Sequence, residues 1–111
     1  MSKIYITQVP QRRDPATGAF VPMDIKQAYA HGEVVIMMPP RAAFYATADL
    51  VRQLRAHLKD YSFEAGDCLV ALGDPAVIAV ACALLGKMHG KFSVLKWDRE
   101  TQRYYPSQIV V

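Results

Sequence analysis

The sequence predicts a small Rossmann-like α/β sheet, with parallel central strands and an antiparallel β-hairpin at each end of the chain. Three apolar, strand-length segments at 33–40, 67–73 and 91–98 alternate with two helical segments, and similar turn motifs flank the series. Unbroken apolar strands are typical of parallel sheets covered on both faces. Helices that connect such strands make right-handed crossovers. We therefore expect the three apolar strands to lie side by side and to point the same way.

The length and the amino-acid composition of the sequence indicate one globular domain over residues 1–111. Apolar residues make up 52% of the chain and charged residues 21%, which excludes a disordered protein. No apolar run approaches the ~18 residues that span a bilayer, and the first residues do not resemble a signal peptide. We expect a cytoplasmic protein with no membrane association. The net charge of +3 is compatible with an anionic partner.

The N-terminal segment reads as a strand followed by a hairpin. Residues 3–9 alternate apolar and polar side chains, which predicts a half-buried strand. Asp14 can accept hydrogen bonds from the backbone of the following turn, Pro15 presets its dihedral angles, and Gly18 supplies a left-handed residue. The returning strand is expected at 19–21.

Two helical segments precede the second apolar strand. Residues 23–32 predict a short helix that ends at Gly32. Residues 46–62 predict a longer helix with Thr47 as its N-cap and an apolar stripe on one side.

The segment 74–90 predicts a helix with an unusual composition. Asp74 is expected at its N-cap and Pro75 at its first position. Residues 76–86 carry no polar side chain except the Cys82 thiol, so the helix is expected to be buried on more than one side. One explanation is a central place between the sheet and a neighbouring helix. The other is a self-complementary homodimer interface. That interface would consist of Ala76, Ala79, Val80 and Ala83.

One sequence motif, which we call the repeated phrase, occurs twice in the chain. Residues 14–22 and 98–106 both read Asp-x-x-Thr-x-x-aromatic-x-Pro. We interpret this motif as a hairpin turn that is used twice and that begins at the acidic residue. The aromatic residue would pair across the two strands, and the proline, which has no backbone N–H, would remove one hydrogen-bond donor from the ladder. Gln102 stands where the first copy has Gly18, so the second turn departs from the pattern.

The carboxyl ends of the three apolar strands define a candidate ligand crevice, because ligands of open parallel sheets bind beyond those ends. The crevice residues are Arg41, Asp74, Trp97 and Asp98. A cation, two carboxylates and a stacking surface suit a nucleotide or a metal-bound phosphate. The alternative is structural, since Asp74 also caps a helix and Asp98 also opens a turn. The loop at 71–76 has one glycine rather than a phosphate-cradling set.

Basic residues define a second candidate site. Those proposed to bind nucleic acid are Arg12, Arg13, Arg52, Arg55 and Lys59. They could follow a phosphate backbone while aromatic side chains stack on bases. The stacking candidates are Tyr5, Phe44 and Tyr45. The alternative is an ordinary solvated helix face, and no recognised nucleic-acid motif is present.

Catalytic chemistry has little support in the sequence. His31, His57 and His89 are not spaced as metal ligands, and no Ser/His/Asp or Cys/His arrangement is identifiable. Cys68 and Cys82 lie in apolar segments and are expected to be buried, reduced thiols. We expect no catalytic residue, no metal and no cofactor, and the protein is more easily explained as a non-enzyme.

Three stretches carry a resemblance: MMPPRA at 37–42, ALGDPA at 71–76 with its alanine-rich helix, and LKWDRETQRYYP at 95–106. Together they resemble a group of small, uncharacterised α/β proteins of phages and prophages. The resemblance implies an accessory phage protein and supplies no catalytic residue. The sequence therefore predicts a non-enzymatic binding protein that acts as a homodimer on a nucleic-acid or host-protein partner. The alternative is a nucleotide- or phosphate-binding domain, conceivably a weak hydrolase.

Overall fold

The computed structural model describes residues 2–41 and 46–111. In chain order the strands are β1 Lys3–Gln8, β2 Gln11–Arg13, β3 Phe20–Pro22, β4 Glu33–Met38, β5 Cys68–Val70, β6 Lys91–Asp98 and β7 Arg103–Val110. The α-helices are α1 Thr47–Leu58 and α2 Pro75–His89, and a 3-10 helix spans Lys26–Ala30.

Five strands form the main sheet in the order β4-β1-β5-β6-β7. The strands β4, β1, β5 and β6 are parallel, and β7 is antiparallel to β6. The α/β class, the parallel centre and the C-terminal hairpin are therefore confirmed. The three apolar segments point the same way, as expected, but β4 is not next to β5, because β1 lies between them.

The N-terminal hairpin differs from the prediction. Strands β2 and β3 pair only with each other and form a separate two-stranded sheet. Each has three residues, most of them exposed. The predicted antiparallel hairpin near the N-terminus is therefore present, but its first strand is β2 and not β1, which is a central parallel strand of the main sheet.

Strand β1 can occupy the centre because its polar side chains are buried with their hydrogen bonds satisfied. Thr7 Oγ1 accepts a hydrogen bond from Leu72 N at 2.8 Å. Gln8, which is 2% exposed, donates from Nε2 to Pro39 O at 2.8 Å and accepts at Oε1 from Asp74 N at 2.7 Å. Gln8 therefore joins the carboxyl ends of β4, β1 and β5.

The two faces of the sheet are covered unequally. On one face Tyr5, Leu69 and Phe92 pack against apolar residues of α1 and α2. On the other face Ile6 and Leu95 belong to a smaller cluster whose cover includes Ala28 of the 3-10 helix. A single helical turn covers less surface than two α-helices, so the second face stays open beside the ends of β5 and β6.

The predicted caps of α2 are confirmed, but the predicted N-cap of α1 is wrong. Asp74 Oδ1 accepts a hydrogen bond from Ala76 N at 2.7 Å, and Gly90 is left-handed at the C-cap. The N-cap of α1 is Ala46, which makes no side-chain bond, so the predicted Thr47 cap is wrong. The segment 23–32 forms only the 3-10 turn.

The repeated phrase forms the same turn twice, as predicted. Gly18 N donates to Asp14 O at 2.7 Å, and Gln102 N donates to Asp98 O at 2.8 Å. Each carboxylate also accepts a backbone N–H two residues on, at 2.9 Å from Ala16 N and at 3.0 Å from Glu100 N. Gln102 is left-handed with φ +55°, as Gly18 is with φ +75°.

Candidate ligand-binding cavity

A cavity of about 930 Å³ opens on the less covered face of the sheet. Its walls come from the segment after β3, from residues 70–72 at the end of β5, and from the hairpin formed by β6 and β7. The volume falls in the range of small-molecule sites, roughly 300–1,000 Å³. We name this feature the carboxyl-edge cavity.

Two aromatic residues form one wall of the carboxyl-edge cavity. Trp97 and Tyr104 are cross-strand partners in the β6–β7 ladder, and their ring centroids lie 5.0 Å apart in an edge-on arrangement. On its other side Tyr104 meets the ring of His31, 6.4 Å away. Trp97 is 44% exposed, so part of its indole is free to receive a planar ligand. Burial raises the pKa of Tyr104, which keeps its hydroxyl neutral.

The remaining lining combines cations with hydrogen-bonding groups. Its polar residues are Asp24, Lys26, Gln27, Lys96 and Gln102. Asp24 already accepts a hydrogen bond from Lys26 N at 2.9 Å, where the 3-10 helix begins. The set holds two lysines and one carboxylate, and the Lys96 ammonium lies 5.6 Å from the centroid of the Tyr105 ring. The wall therefore suits a ligand that has both a planar ring and a negative charge.

A shallower depression adjoins the cavity and contains Asp98. It is lined by Asp98, Thr101, Arg103, Tyr104 and Tyr105. Hydrogen bonds from the Thr101 hydroxyl and the Glu100 backbone lower the pKa of Asp98. The carboxylate of Asp98 is thus charged and engaged within its own turn.

The predicted crevice residues are distributed over several places. Trp97 lines the carboxyl-edge cavity and Asp98 the adjoining depression, whereas Arg41 and Asp74 line neither. Strand β1 separates the ends of β4 and β5, and β6 continues past β5 to Asp98. Gln8 Oε1 accepts a hydrogen bond from Asp74 N, and the Asp74 carboxylate accepts one from Ala76 N, so two backbone donors at the start of α2 are engaged.

The predicted basic residues lie on two exposed surfaces. Arg52 and Arg55 are exposed on α1, Lys59 is exposed at its C-cap, and Arg52 forms an ion pair of 2.6 Å with Asp49. Arg12 and Arg13 are exposed on β2, where the Arg13 guanidinium lies 5.0 Å from the centroid of the Phe20 ring.

Of the three aromatic residues predicted to stack on bases, the structure describes only Tyr5. Tyr5 is 2% exposed and its ring packs 5.9 Å from that of Tyr61, so the prediction that it stacks on bases is wrong. The alternating pattern predicts a solvated face for β1, whereas both faces of this strand are buried. Phe44 and Tyr45 lie outside the described residues.

The cysteines and histidines have structural surroundings. Cys68 is buried, Cys82 is half-buried, and both are free thiols whose pKa is raised by burial. His89 Nε2 lies 2.9 Å from Leu58 O. Over residues 2–41 and 46–111, no group of three or more His, Cys, Asp and Glu side chains could hold a metal ion. In the same part of the chain, no helix has the length and apolar character required to traverse a membrane.

Helix α2 is buried on one side rather than all round. Its buried residues are Val77, Ala81, Leu84 and Leu85. Of the predicted interface residues, Ala76, Ala79 and Ala83 are exposed and Val80 is half-buried. The apolar composition therefore leaves an apolar surface facing solvent.

Sequence reasoning missed several lining residues of the carboxyl-edge cavity. These are Lys26, Gln27, Lys96, Gln102 and Tyr104. For Lys96 and Tyr104 a signal existed, because residues 96–105 interleave three aromatic residues with three cations on one hairpin. Lys26 and Gln27 reach the cavity through tertiary packing, which no local pattern reports.

Comparison with known proteins identifies the family. The chain matches the model of the Phage Pam3 gp32-like protein family over residues 2–111 and belongs to that family. The resemblance to small phage proteins is thereby confirmed. No curated protein and no solved structure matches the chain.

Proposed function

We propose that this member of the Phage Pam3 gp32-like family is a non-enzymatic accessory protein that binds single-stranded nucleic acid in the carboxyl-edge cavity. The observation that carries the proposal is Trp97, a partly exposed indole held on the wall of a large open cavity beside two lysines. Stacking of an unpaired base on an aromatic ring contributes about 1–3 kcal/mol and tolerates any base.

Positive charge around the cavity supports a phosphate-bearing ligand. Lys26 and Lys96 line the cavity, and the hairpin beside it adds Arg99 and Arg103. Asp98 and Glu100 offset part of this charge, which leaves the segment 96–105 with three cations and two carboxylates. A ligand whose base stacks on Trp97 would place its phosphates among these cations.

A non-enzymatic role is supported by what the polar side chains already do. Asp74 caps α2, and the Asp98 carboxylate accepts a hydrogen bond from Thr101 within its own turn. The Gln8 amide forms hydrogen bonds that join three strand ends. Burial keeps Cys68 and Cys82 in the unreactive thiol form.

Binding can be measured directly because Trp97 is the one tryptophan in the sequence. We expect single-stranded oligo(dA) to quench its fluorescence. In Lys26→Gln/Lys96→Gln the affinity should fall, and the slope of log Kd against log salt should decrease by about 1.4, since each single-strand phosphate contact contributes about 0.7.

Two controls separate the cavity from the basic helix surface and from a mononucleotide site. If Arg52→Ala/Arg55→Ala/Lys59→Ala alone weakens binding and the cavity variant does not, the cavity proposal is wrong. If AMP quenches Trp97 as strongly as the oligonucleotide at equal concentration, the nucleotide-binding alternative replaces it. If none of these probes quenches the wild-type protein, both the nucleic-acid and the nucleotide hypotheses are wrong, and a protein partner is the remaining hypothesis.

A homodimer is the second part of the proposal, and the exposed side of α2 supports it. Between Pro75 and Gly86 the helix carries no charge, and Val111 packs against Gly86, which extends the apolar surface to the end of β7. A two-fold axis near Ala79 would pair Ala76 of one copy with Ala83 of the other. The antiparallel arrangement would bring Lys87 of one copy towards Asp74 of the other, which is favourable electrostatically.

The dimer is tested by substituting the centre of this surface. Ala79→Glu should convert the protein from dimer to monomer in analytical ultracentrifugation, because two carboxylates would face each other across the axis. Ala56→Glu, on the exposed side of α1, is the matched control and should remain dimeric. A monomeric wild type, or a dimer unaffected by Ala79→Glu, contradicts the proposal.

The sheet also supports a Rossmann-like interpretation. The order β4-β1-β5-β6 reverses at β1, as in doubly wound sheets whose ligands bind at the reversal. In this chain Gln8 occupies the space between the neighbouring strand ends. A ligand therefore has better access to the carboxyl-edge cavity than to that position.

A further inference from the structure

The two copies of the repeated turn differ at one informative position. Both place a left-handed residue four positions after the aspartate, Gly18 in the first turn and Gln102 in the second. Among the described non-glycine residues, Gln102 alone has a positive φ. Left-handed conformations are unfavourable for residues that carry a Cβ, and glycine adopts them freely. The second turn thus holds a side chain where the first turn holds none.

The glutamine side chain lies where a ligand can contact it. Gln102 lines the carboxyl-edge cavity together with Trp97, Tyr104 and Lys96, whereas the Cβ position of Gly18 has open space around it. A strained residue at a candidate site is an observation from which a functional role can be inferred.

The primary amide of Gln102 offers a donor beside an acceptor. Adenine presents the complementary pair in its N6 amino group and N7, and glutamine forms a bidentate bond with them. An aromatic surface and an amide on one wall can therefore stack a base and hydrogen-bond its edge at the same time.

We infer that Gln102 is the specificity-determining residue of the carboxyl-edge cavity and hydrogen-bonds the edge of an unpaired base, adenine foremost, that is stacked on Trp97. The inference rests on the proposed function and adds the ligand class and the residue that selects it.

Gln102→Gly tests the inference because stability and binding should move in opposite directions. Relief of the left-handed conformation should raise Tm by roughly 3–6 °C. Loss of the amide should weaken oligo(dA) binding by roughly 10-fold, within the range of a bidentate contact. Binding of an abasic oligonucleotide of equal length should not change, since it has no base edge to contact. Gly18→Gln is the matched control: it should lower Tm and leave oligo(dA) affinity intact.

The outcomes separate this inference from the proposal on which it rests. If wild-type Trp97 responds to oligo(dA) and Gln102→Gly retains full affinity, Gln102 has no selective role. If Tm of Gln102→Gly falls, the argument from strain is wrong. If oligo(dA) does not quench wild-type Trp97, the proposed function fails and the inference fails with it.

Discussion

Gly73→Ala is expected to destabilise the protein by about 3 kcal/mol or more. Gly73 is left-handed with φ +92°, so any Cβ there is strained. The added methyl would also meet the side chain of Gln8, whose amide is fixed by bonds to Pro39 O and Asp74 N. Either the methyl forces a buried amide out of its bonds or the backbone between β5 and α2 must shift.

A comparison within the same chain separates the two costs. Gly90 is also left-handed, with φ +78°, but has nothing within 4 Å of its Cβ position. Gly90→Ala should therefore carry the conformational cost alone, about 1 kcal/mol. The free energies of unfolding of the two variants, from urea denaturation, give the steric part by difference.

A double-mutant cycle then locates the steric part at Gln8. Gln8→Ala should itself cost about 1–3 kcal/mol, because Pro39 O and Asp74 N lose their partly buried hydrogen bonds. In that background the added methyl no longer meets the Gln8 amide, but it still meets the Cβ of residue 8 at 2.6 Å. Gly73→Ala should therefore cost more than about 1 kcal/mol but less than in the wild type, and the two changes should be partly non-additive. Additivity within about 0.5 kcal/mol would mean that the Gln8 amide does not cause the loss.

The same glutamine explains why the strand order could not be predicted from the sequence. The first strand alternates as far as Thr7, which is normally the pattern of a strand with one solvated face, and Gln8 places a second polar side chain next to it. Both are instead buried, with hydrogen bonds to the loops that end at Leu72, Pro39 and Asp74. These partners are 31 to 66 residues away along the chain. The pattern identifies the polar side chains correctly. The groups that form hydrogen bonds with them are brought close only by the tertiary structure, so the sequence pattern does not show that these side chains are buried.

Three local features were predicted correctly because their physics is local, whereas the Thr47 cap, which is also local, is wrong. The Asp74 cap and the Asp14 and Asp98 turns depend on hydrogen bonds within four residues, and all three formed as expected. The candidate site was predicted only in part. Trp97 was identified, and its pairing with Tyr104 follows from the hairpin, but the contribution of Lys26 required the chain between β3 and β4 to fold across the open face.

Asp67→Ala is expected to lower the free energy of unfolding by about 3–4 kcal/mol. Asp67 is 3% exposed, and its two carboxylate oxygens accept from Lys3 N at 2.8 Å and from Ser62 N at 2.9 Å. Truncation would leave both donors unsatisfied at the start of β1 and in the turn before β5. Urea denaturation of the variant and the wild type measures the loss.

The isosteric change Asp67→Asn decides whether hydrogen bonding or packing is responsible. The shape of the side chain is retained, but the amide nitrogen must face one of the two backbone N–H groups, and a donor cannot satisfy a donor. The cost should therefore remain near 2 kcal/mol. Asp60→Asn, at an exposed position beyond α1, is the matched control and should stay within about 0.5 kcal/mol of the wild type. If Asp67→Asn were as stable as this control, the two carboxylate bonds would contribute nothing. The joining of β1 to β5 would then depend on their parallel backbone pairing and on the apolar core.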